Sequence, residues 1–500
     1  MSRQIGFIVF LILFSRIINS QVLPEDRRIE WSPGIAGGIP EISSPVLNII
    51  DFGADPNGVE DSYRAIESTI DSLPETGGIV FIPKGNFRVT SAIKIKRDNM
   101  VMRGEGPSSK LLMETYGNSV EITCDEKGSW QKIKDGFLKN SKIITIEDGT
   151  KFKAGQFAEI EQDNNPDVMY TDPEWNQPWA ENSVGQLFEV AGIDGNRITL
   201  KTPLHIDFSP GLNVRARPVN MIKNVGFENF YIEKKVANGH TFYFSNSAYC
   251  WMYKVESNRT RRSHVSLAQS LANTIKLSYF HHSSYYGGGG GGYGVECGFH
   301  TTDVLTEDNV FDSLRHAMMV QTGANGNVFA YNFSTNPVQG ENTSNLNEGW
   351  KPPDISVHGH YPFMNLFESN EVNEIGIGDY WGPAGPGNTF FRNKVSGEGI
   401  FLYDHSDKQN LVGNETNIIT DNSDNCVDLI THGNIVSNRI TWDPELDKAL
   451  PPSFYLGSFP DFFFRQYWPI FGPDILRPLK LPARVRHEYG YPTILPETIE

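Results

Sequence analysis

The phrase NVFAYN at residues 327–332 returns as NLFESN at 365–370 and as NTFFRN at 388–393, with shorter echoes NLVGN from Asn410 and NIVSN from Asn434. Half-copies precede them, NTIKLSYF from Asn273 and NVFDSL from Asn309. From Asn365 onward the leading asparagines are spaced by 23, 22 and 24 residues. A repeat of that length describes an array in which each unit buries one face against its neighbours. Inside each unit a few β-branched or aromatic residues are bracketed by turn formers, which is a short strand and too short for a helix. The repeat therefore predicts an all-β chain wound as a parallel β-helix. It also gives Asn327, Asn365, Asn388, Asn410 and Asn434 a structural task, a ladder of side-chain amides stacked coil on coil.

Two intervals exceed the period. Asn273 to Asn309 is 36 residues and holds YYGGGGGGYG; Asn327 to Asn365 is 38 and holds VQGENTSNLNEGWKPPD. The excess leaves the coil as loops, which in repeat proteins gather on one face, often the binding face. The six glycines thus interrupt a continuous solenoid and do not tether two domains. Between Asn309 and Asn327 only 18 residues remain, so that coil is tight. Residues 142–217 read differently: alternating strands joined by EDG and DGN turns predict antiparallel hairpins, hence a small inserted β module. The layout expected is a leader at 1–20, first coils with a capping helix at 21–141, the insert at 142–217, the main helix at 218–450, and a tail at 451–500. The tail is too rich in proline for central strands and is expected to cap the last coil.

With 39% hydrophobic residues the chain can bury a large core. The net charge of −17 disfavours nucleic acid as a partner, because phosphate binding needs clustered Lys and Arg. It admits an anionic substrate at a locally basic site. Arg3 followed by the apolar run Ile5–Phe14 and by Ser20 reads as a signal peptide. A secreted or periplasmic protein with no membrane span after its removal is expected, acting as a monomer. Cys124, Cys250, Cys297 and Cys426 show no CxxC spacing, so they read as plain buried residues, with no zinc or redox centre.

Residues 48–112 carry FGADPNGVEDS, a helix expected over Tyr63–Leu73, GGIVFIPKGNFRV and MRGEGPSS. These resemble the opening coils of the pectate-lyase-like superfamily of right-handed parallel β-helix proteins, which includes rhamnogalacturonases and uronan epimerases. The resemblance implies a single right-handed helix and an acidic polysaccharide as partner. It does not choose the reaction, since lyases, hydrolases, epimerases and adhesins share the fold. His358-Gly359-His360 lacks the aspartate pair that accompanies the Gly-His-Gly loop of polygalacturonases. Tyr403-Asp404-His405 departs from the Asp-Pro-His of the epimerases. The aspartate cluster and arginine motif of the calcium pectate lyases are missing, so Ca²⁺ is an option and no metal ligands are assigned.

Cleavage of a uronan by β-elimination, the leading reading, needs a group to neutralise the carboxylate, a base for the C5 proton and an acid for the leaving oxygen. Arg315, His316, His264, Tyr293 and His358 are the catalytic candidates. Arg261, Arg262, His282, Tyr286, His360, Asp379, Trp381 and His405 are the substrate-binding candidates. His264 and Asp379 both stand nine residues before their asparagines, and Arg315 and His358 within three residues of that offset. Equal positions in successive coils stack at about 4.8 Å, so a vertical stripe is expected. Seven of the twelve histidines fall between residues 264 and 360, which predicts a locally basic groove walled by the glycine loop. A hydrolase, an epimerase and a non-catalytic glycan-binding solenoid are the alternatives.

Overall fold

The computed structural model describes residues 22–169, 177–338, 352–463, 468–475, 479–490 and 493; the expected leader and much of the loop before Pro352 lie outside them. Each coil lays down three short strands, and each strand pairs in parallel with its equivalent one coil on. The first face runs through Phe242–Ser245, Ser263–Ala268, Tyr293–Gly298, His316–Val320 and Ile355–Val357. The second runs through Trp251–Tyr253, Thr274–Lys276, Leu305–Glu307, Val328–Ala330, Leu366–Glu368 and Thr389–Phe391. The third runs through Glu256–Thr260, Tyr279–Ser283, Val310–Asp312 and Phe333–Thr335. The chain is thus a parallel β-helix, as the repeat predicts.

The repeated asparagines sit at corners. Asp308, Tyr331, Ser369 and Arg392 adopt left-handed backbone (φ 55°, 57°, 54° and 53°), and an asparagine follows each. Such a residue turns the chain sharply at a cost of roughly 1–2 kcal/mol, and it leaves backbone groups unpaired. The next asparagine satisfies them. Asn370 Nδ2 donates to Phe329 O at 2.8 Å and to Asn393 Oδ1 at 3.0 Å, while its Oδ1 accepts from Asn332 N and Nδ2.

There are two such ladders, where the repeat suggested one. Asn327, Asn365 and Asn388 occupy the corner between the first and second faces. Asn309, Asn332, Asn370, Asn393, Asn414 and Asn434 occupy the corner between the second and third. Asn434 therefore belongs to the second ladder. Asn410 is a strand residue in register with Thr389, and Gln409 takes the amide place beside Asn388 at 3.1 Å.

Phenylalanines fill the lumen, with Phe329, Phe367 and Phe390 stacked at 5.3 and 5.1 Å. Helix Tyr63–Asp71 closes the first coil with Ala65, Ile66 and Ile70. An antiparallel pairing of Asn434–Val436 with Arg439–Thr441 closes the last. Cys124, Cys250, Cys297 and Cys426 form no disulfide. No helix among the described residues is long and apolar enough to cross a membrane.

The insert is a closed six-stranded antiparallel barrel beginning at strand Gln131–Asp135, ahead of Lys142, and ending at Arg215–Val219. It docks on the coils through buried charge: Glu159 accepts from His300 Nδ1 (2.8 Å), Gln269 Nε2 (2.6 Å) and Arg217 Nη2 (2.7 Å). Among the described residues the tail makes no hydrogen bond to the last coil, where a cap was expected. It runs back along the outside of the coils, where Phe454 N reaches Glu368, Tyr455 OH reaches Glu307 and Arg486 reaches Asp308. Its aromatic residues find apolar surface there, on the outer side of the second face.

Candidate functional site

In a strand, alternate residues point outward. On the first face one outward column reads Glu121, Tyr243, Ser266, Glu296, Met319 in register across five coils. A groove of about 820 Å³ lies over its first four members. Arg261 and Arg262 wall it at the edge where these strands begin, and Trp179 of the barrel lines it together with Phe299 and Thr322 at the edge where they end. Glu296 accepts hydrogen bonds from Ser263 Oγ and from Gln321 Nε2 (2.7 Å). Tyr243 stacks on His240 at 5.7 Å. Burial, with the nearby Arg262 and Lys234 charges, pushes His240 down to about 3, so its ring is neutral at ordinary pH.

The arginines are held without carboxylates. Arg261 lies on the Tyr285 ring at 4.1 Å. Neither Arg261 nor Arg262 makes an ion pair among the described residues, although acidic residues outnumber basic ones in this chain, 60 to 43. Four of the six glycines explain themselves here by close contact. A Cβ at Gly287 or Gly291 would fall within 2.3 or 2.5 Å of the Tyr285 ring, one at Gly290 within 2.7 Å of Arg262, and one at Gly292 within 2.8 Å of Tyr286. The run folds around two tyrosine rings and backs the arginine wall. It does not itself line the groove, as the sequence suggested it would.

Arg262 O accepts from Tyr293 N at 2.8 Å, which joins the wall to a buried trio. Arg315 Nη1 donates to Tyr293 Oη at 3.2 Å, and the His316 ring meets the Tyr293 ring edge-on at 4.9 Å. Burial pushes Tyr293 up to about 12, against the pull of the Arg315 charge. Burial and the same arginine hold His316 well below the usual range. Its Nδ1 lies 2.7 Å from Pro353 O, so Nδ1 carries the proton and the lone pair is on Nε2. One coil further, His358 Nδ1 stands 3.3 Å from Asp379 Oδ2, and Asp379 Oδ1 accepts from Gly359 N and Trp381 N. Burial raises the Asp379 carboxyl above its ordinary range, opposed by the His358 charge. His360 and Trp381 pack with Trp179 at 4.3 and 5.6 Å.

The structure brings together Tyr293, Arg315 and His316, and sets Arg261 and Arg262 beside them. It places His358, His360, Asp379 and Trp381 at the opposite edge of the face. Other expectations fail on geometry. His264 is fully buried, its Nδ1 on Ser257 Oγ (2.8 Å) and its Nε2 on His282 O (3.0 Å). His282 belongs to the third face, with Nδ1 2.9 Å from His281 Nδ1. Tyr286 spends its hydroxyl on Ser283 N and Ser313 O. His405 sits on an exposed left-handed turn. The expected stripe of His, Arg, Tyr and Asp does not form, since His264, His300, His316 and His360 are interior, and the positive charge of the groove comes from Arg261 and Arg262. Trp179, Tyr243, Glu296 and Gln321 were not foreseen. For Tyr243 and Glu296 the signal was the alternation within strands such as YGVECG, which marks Glu296 as outward.

Among the described residues one cluster has metal-ligand spacing, Glu159, Glu161 and His300. Its carboxylates already accept from Arg217, Gln269, His300 and Arg215, so it does not fit a calcium ion.

Fold and groove define a parallel β-helix with a polar groove on its first face. A family model described as rhamnogalacturonase A/epimerase, pectate lyase-like, matches residues 46–165. A probable rhamnogalacturonase C of Aspergillus niger is 28% identical over 127 residues, covering 23% of this chain and 28% of that protein. The mannuronan C5-epimerase AlgE6 of Azotobacter vinelandii is 34% identical over 83 residues, 15% of this chain and 10% of that protein. The chain therefore spans about a quarter and a tenth of these relatives' lengths. Among solved structures, the tailspike protein gp49 of Pseudomonas phage LKA1 aligns with a TM-score of 0.55 at 14% identity, over 74% of this chain and 64% of that one. The tailspike gp61 of Pseudomonas phage phi297 aligns at 0.53 and 10%, over the same shares. The first coils resemble the family named by the model, and the likeness to the tailspikes is one of fold.

Proposed function

We propose that the protein is an exported enzyme that cleaves a uronic-acid-containing polysaccharide by β-elimination on the first face. The observation that carries the reading is the groove wall of two arginines, Arg261 and Arg262, that hold no carboxylate among the described residues of an acidic chain. The relatives named for rhamnogalacturonan and mannuronan chemistry agree with a glycan substrate.

The chemistry falls to the trio, which sits behind the arginine wall, does not line the groove and must be uncovered when substrate binds. His316 Nε2 takes the C5 proton, the C4–O bond breaks as the double bond forms, and the Tyr293 hydroxyl protonates the leaving oxygen. Arg315 and the arginine wall balance the carboxylate charge that builds up in between. A hydrolase is disfavoured on this floor. Glu121 and Glu296 stand three strands apart, about 14 Å at roughly 4.8 Å per strand, beyond the roughly 5–9.5 Å of a carboxylate pair. A second reading is favoured by burial. Tyr293, Arg315 and His316 are 6%, 7% and 1% exposed, which suits a groove that only binds.

Incubation with pectic, alginate and glycosaminoglycan substrates, with and without a chelator, tests the proposal. The ultraviolet absorbance of an unsaturated uronate is expected, and chelator is expected to leave it unchanged. Reducing ends without that absorbance would mean a hydrolase, and inverted C5 centres in an intact chain an epimerase. Retention on an anionic glycan column with no product would mean a binding protein.

A further inference from the structure

Trp179 is a large aromatic residue left 49% exposed, on a six-stranded module that the β-helix does not need for its own closure. Its position is fixed. The short turn Pro178–Ala180 is pinned where Asn164 Nδ2 and Ser183 Oγ both donate to Ala180 O at 2.7 Å. Two residues on, Asn182 O pairs with His300 Nε2 of the coils at 2.7 Å. Behind the indole, His360 and Trp381 stand edge-on at 4.3 and 5.6 Å. The other side of Trp179 is in the groove, with the arginine wall at the opposite edge of the face.

We propose that Trp179 is a sugar-stacking residue which the inserted barrel contributes to the groove, and that it holds one pyranose ring of a chain whose acidic groups reach Arg261 and Arg262 at the opposite edge. This rests on the reading of the groove as a glycan site. A flat ring backed by two others presents an apolar face that can take the C–H face of a pyranose, while the arginines supply charge and hydrogen bonds to a carboxylate. The floor between them, Tyr243, Ser266 and Glu296, offers polar partners for hydroxyls. The barrel would then act as a specificity element. It decides which sugar sits across from the arginines, while the trio at Tyr293 does the chemistry.

Calorimetric titration of the full chain with oligogalacturonides and oligomannuronates, each beside its neutral methyl ester, tests this. Trp179→Ala and Trp179→Leu are expected to weaken acid and ester forms alike by roughly tenfold, the order of one aromatic contact. Trp179→Tyr is expected to restore most of the affinity, and it keeps a ring against His360 should the smaller variants not fold. Arg261→Ala with Arg262→Ala is expected to weaken only the acid forms. If the Trp179→Leu protein binds as well as the wild type while the arginine variant loses the acid forms, the stacking residue is overturned and the groove stands. If Trp179 governs binding but acid and ester bind equally, the stacking residue stands and the acidic substrate is overturned. Wild-type protein that binds none of the four probes overturns both.

Discussion

The first and second faces of this helix are built alike and finished differently. On the second face one outward column reads Leu305, Val328, Leu366 and the other Glu307, Ala330, Glu368, Phe391, Val412, mostly apolar rows that cannot be left in water. They are covered by the segment before the first coil, where Trp31 Nε1 donates to Met364 O at 2.8 Å, and by the tail, where Phe454 meets Phe391 at 4.4 Å. Charge on that side is locked in pairs: Arg486 with Asp308 at 2.9 Å and Arg392 with Asp474 at 2.6 Å. On the first face the outward column begins Glu121, Tyr243, Ser266 and Glu296, and these four line an open polar groove. Arg261 and Arg262 make no ion pair among the described residues. The coil supplies the same backbone to both faces, and the choice of outward side chain decides which becomes interior and which becomes site.

The comparison is sharpened most by Tyr293→Phe. Removing one hydroxyl leaves the ring against His316 and is expected to cut turnover by about 10²–10⁴-fold, the weight of one acid–base group. The lost bond from Arg315 is expected to cost only about 1 kcal/mol of stability. Full turnover by this variant would move the chemistry away from the trio.

The covered face answers in stability. Arg486→Leu leaves the Asp308 carboxylate buried without its partner, which typically costs about 3–5 kcal/mol. The denaturation midpoint is expected to fall accordingly, while turnover per folded molecule stays unchanged. A smaller loss is expected in the ladder, where Asn370→Ala deletes an amide with neighbours above and below. About 1–3 kcal/mol should go for the buried groups left unpaired. The last effect shows only as pH is lowered and concerns the docked barrel. Burial would raise the Glu159 carboxyl, but the His300 hydrogen bond and the His300 and Arg217 charges win and bring it from 4.5 down to about 2. A depressed carboxylate stabilises the fold above its unfolded value, so that contribution is present above about pH 4.5 and is lost as pH falls toward 2. Melting temperatures followed across that window should drop in the wild type and flatten in Glu159→Gln.

The repeat spacing made the fold legible because each coil must return its strand to the same register. The site was less legible, and the reason is the corner between the first and second faces. From the outward floor position to the corner asparagine there are seven residues at Ser266 to Asn273, eight at Met319 to Asn327, nine at Ser356 to Asn365 and twelve at Gly376 to Asn388. Counting back nine residues therefore lands before the floor at His264 and after it at Asp379, on opposite edges of the face. Arg315 and His316 were legible for another reason: a charged pair opening the apolar strand His316–Val320 has to be tied to something. Trp179 could not be reached from the coils, because it enters from the barrel and no repeat predicts where an insertion docks.

Hydrogen exchange on the whole protein, with and without a saturating acidic oligosaccharide, addresses the division between the two faces most directly. Protection is expected around Arg261 and Arg262, along strand Tyr293–Gly298 and at the turn Pro178–Ala180. Strands Val328–Ala330 and Leu366–Glu368 and helix Pro482–Glu488 should exchange as before. Protection confined to the tail and the second face, with none at Tyr293–Gly298, would contradict the assignment of the first face as the site.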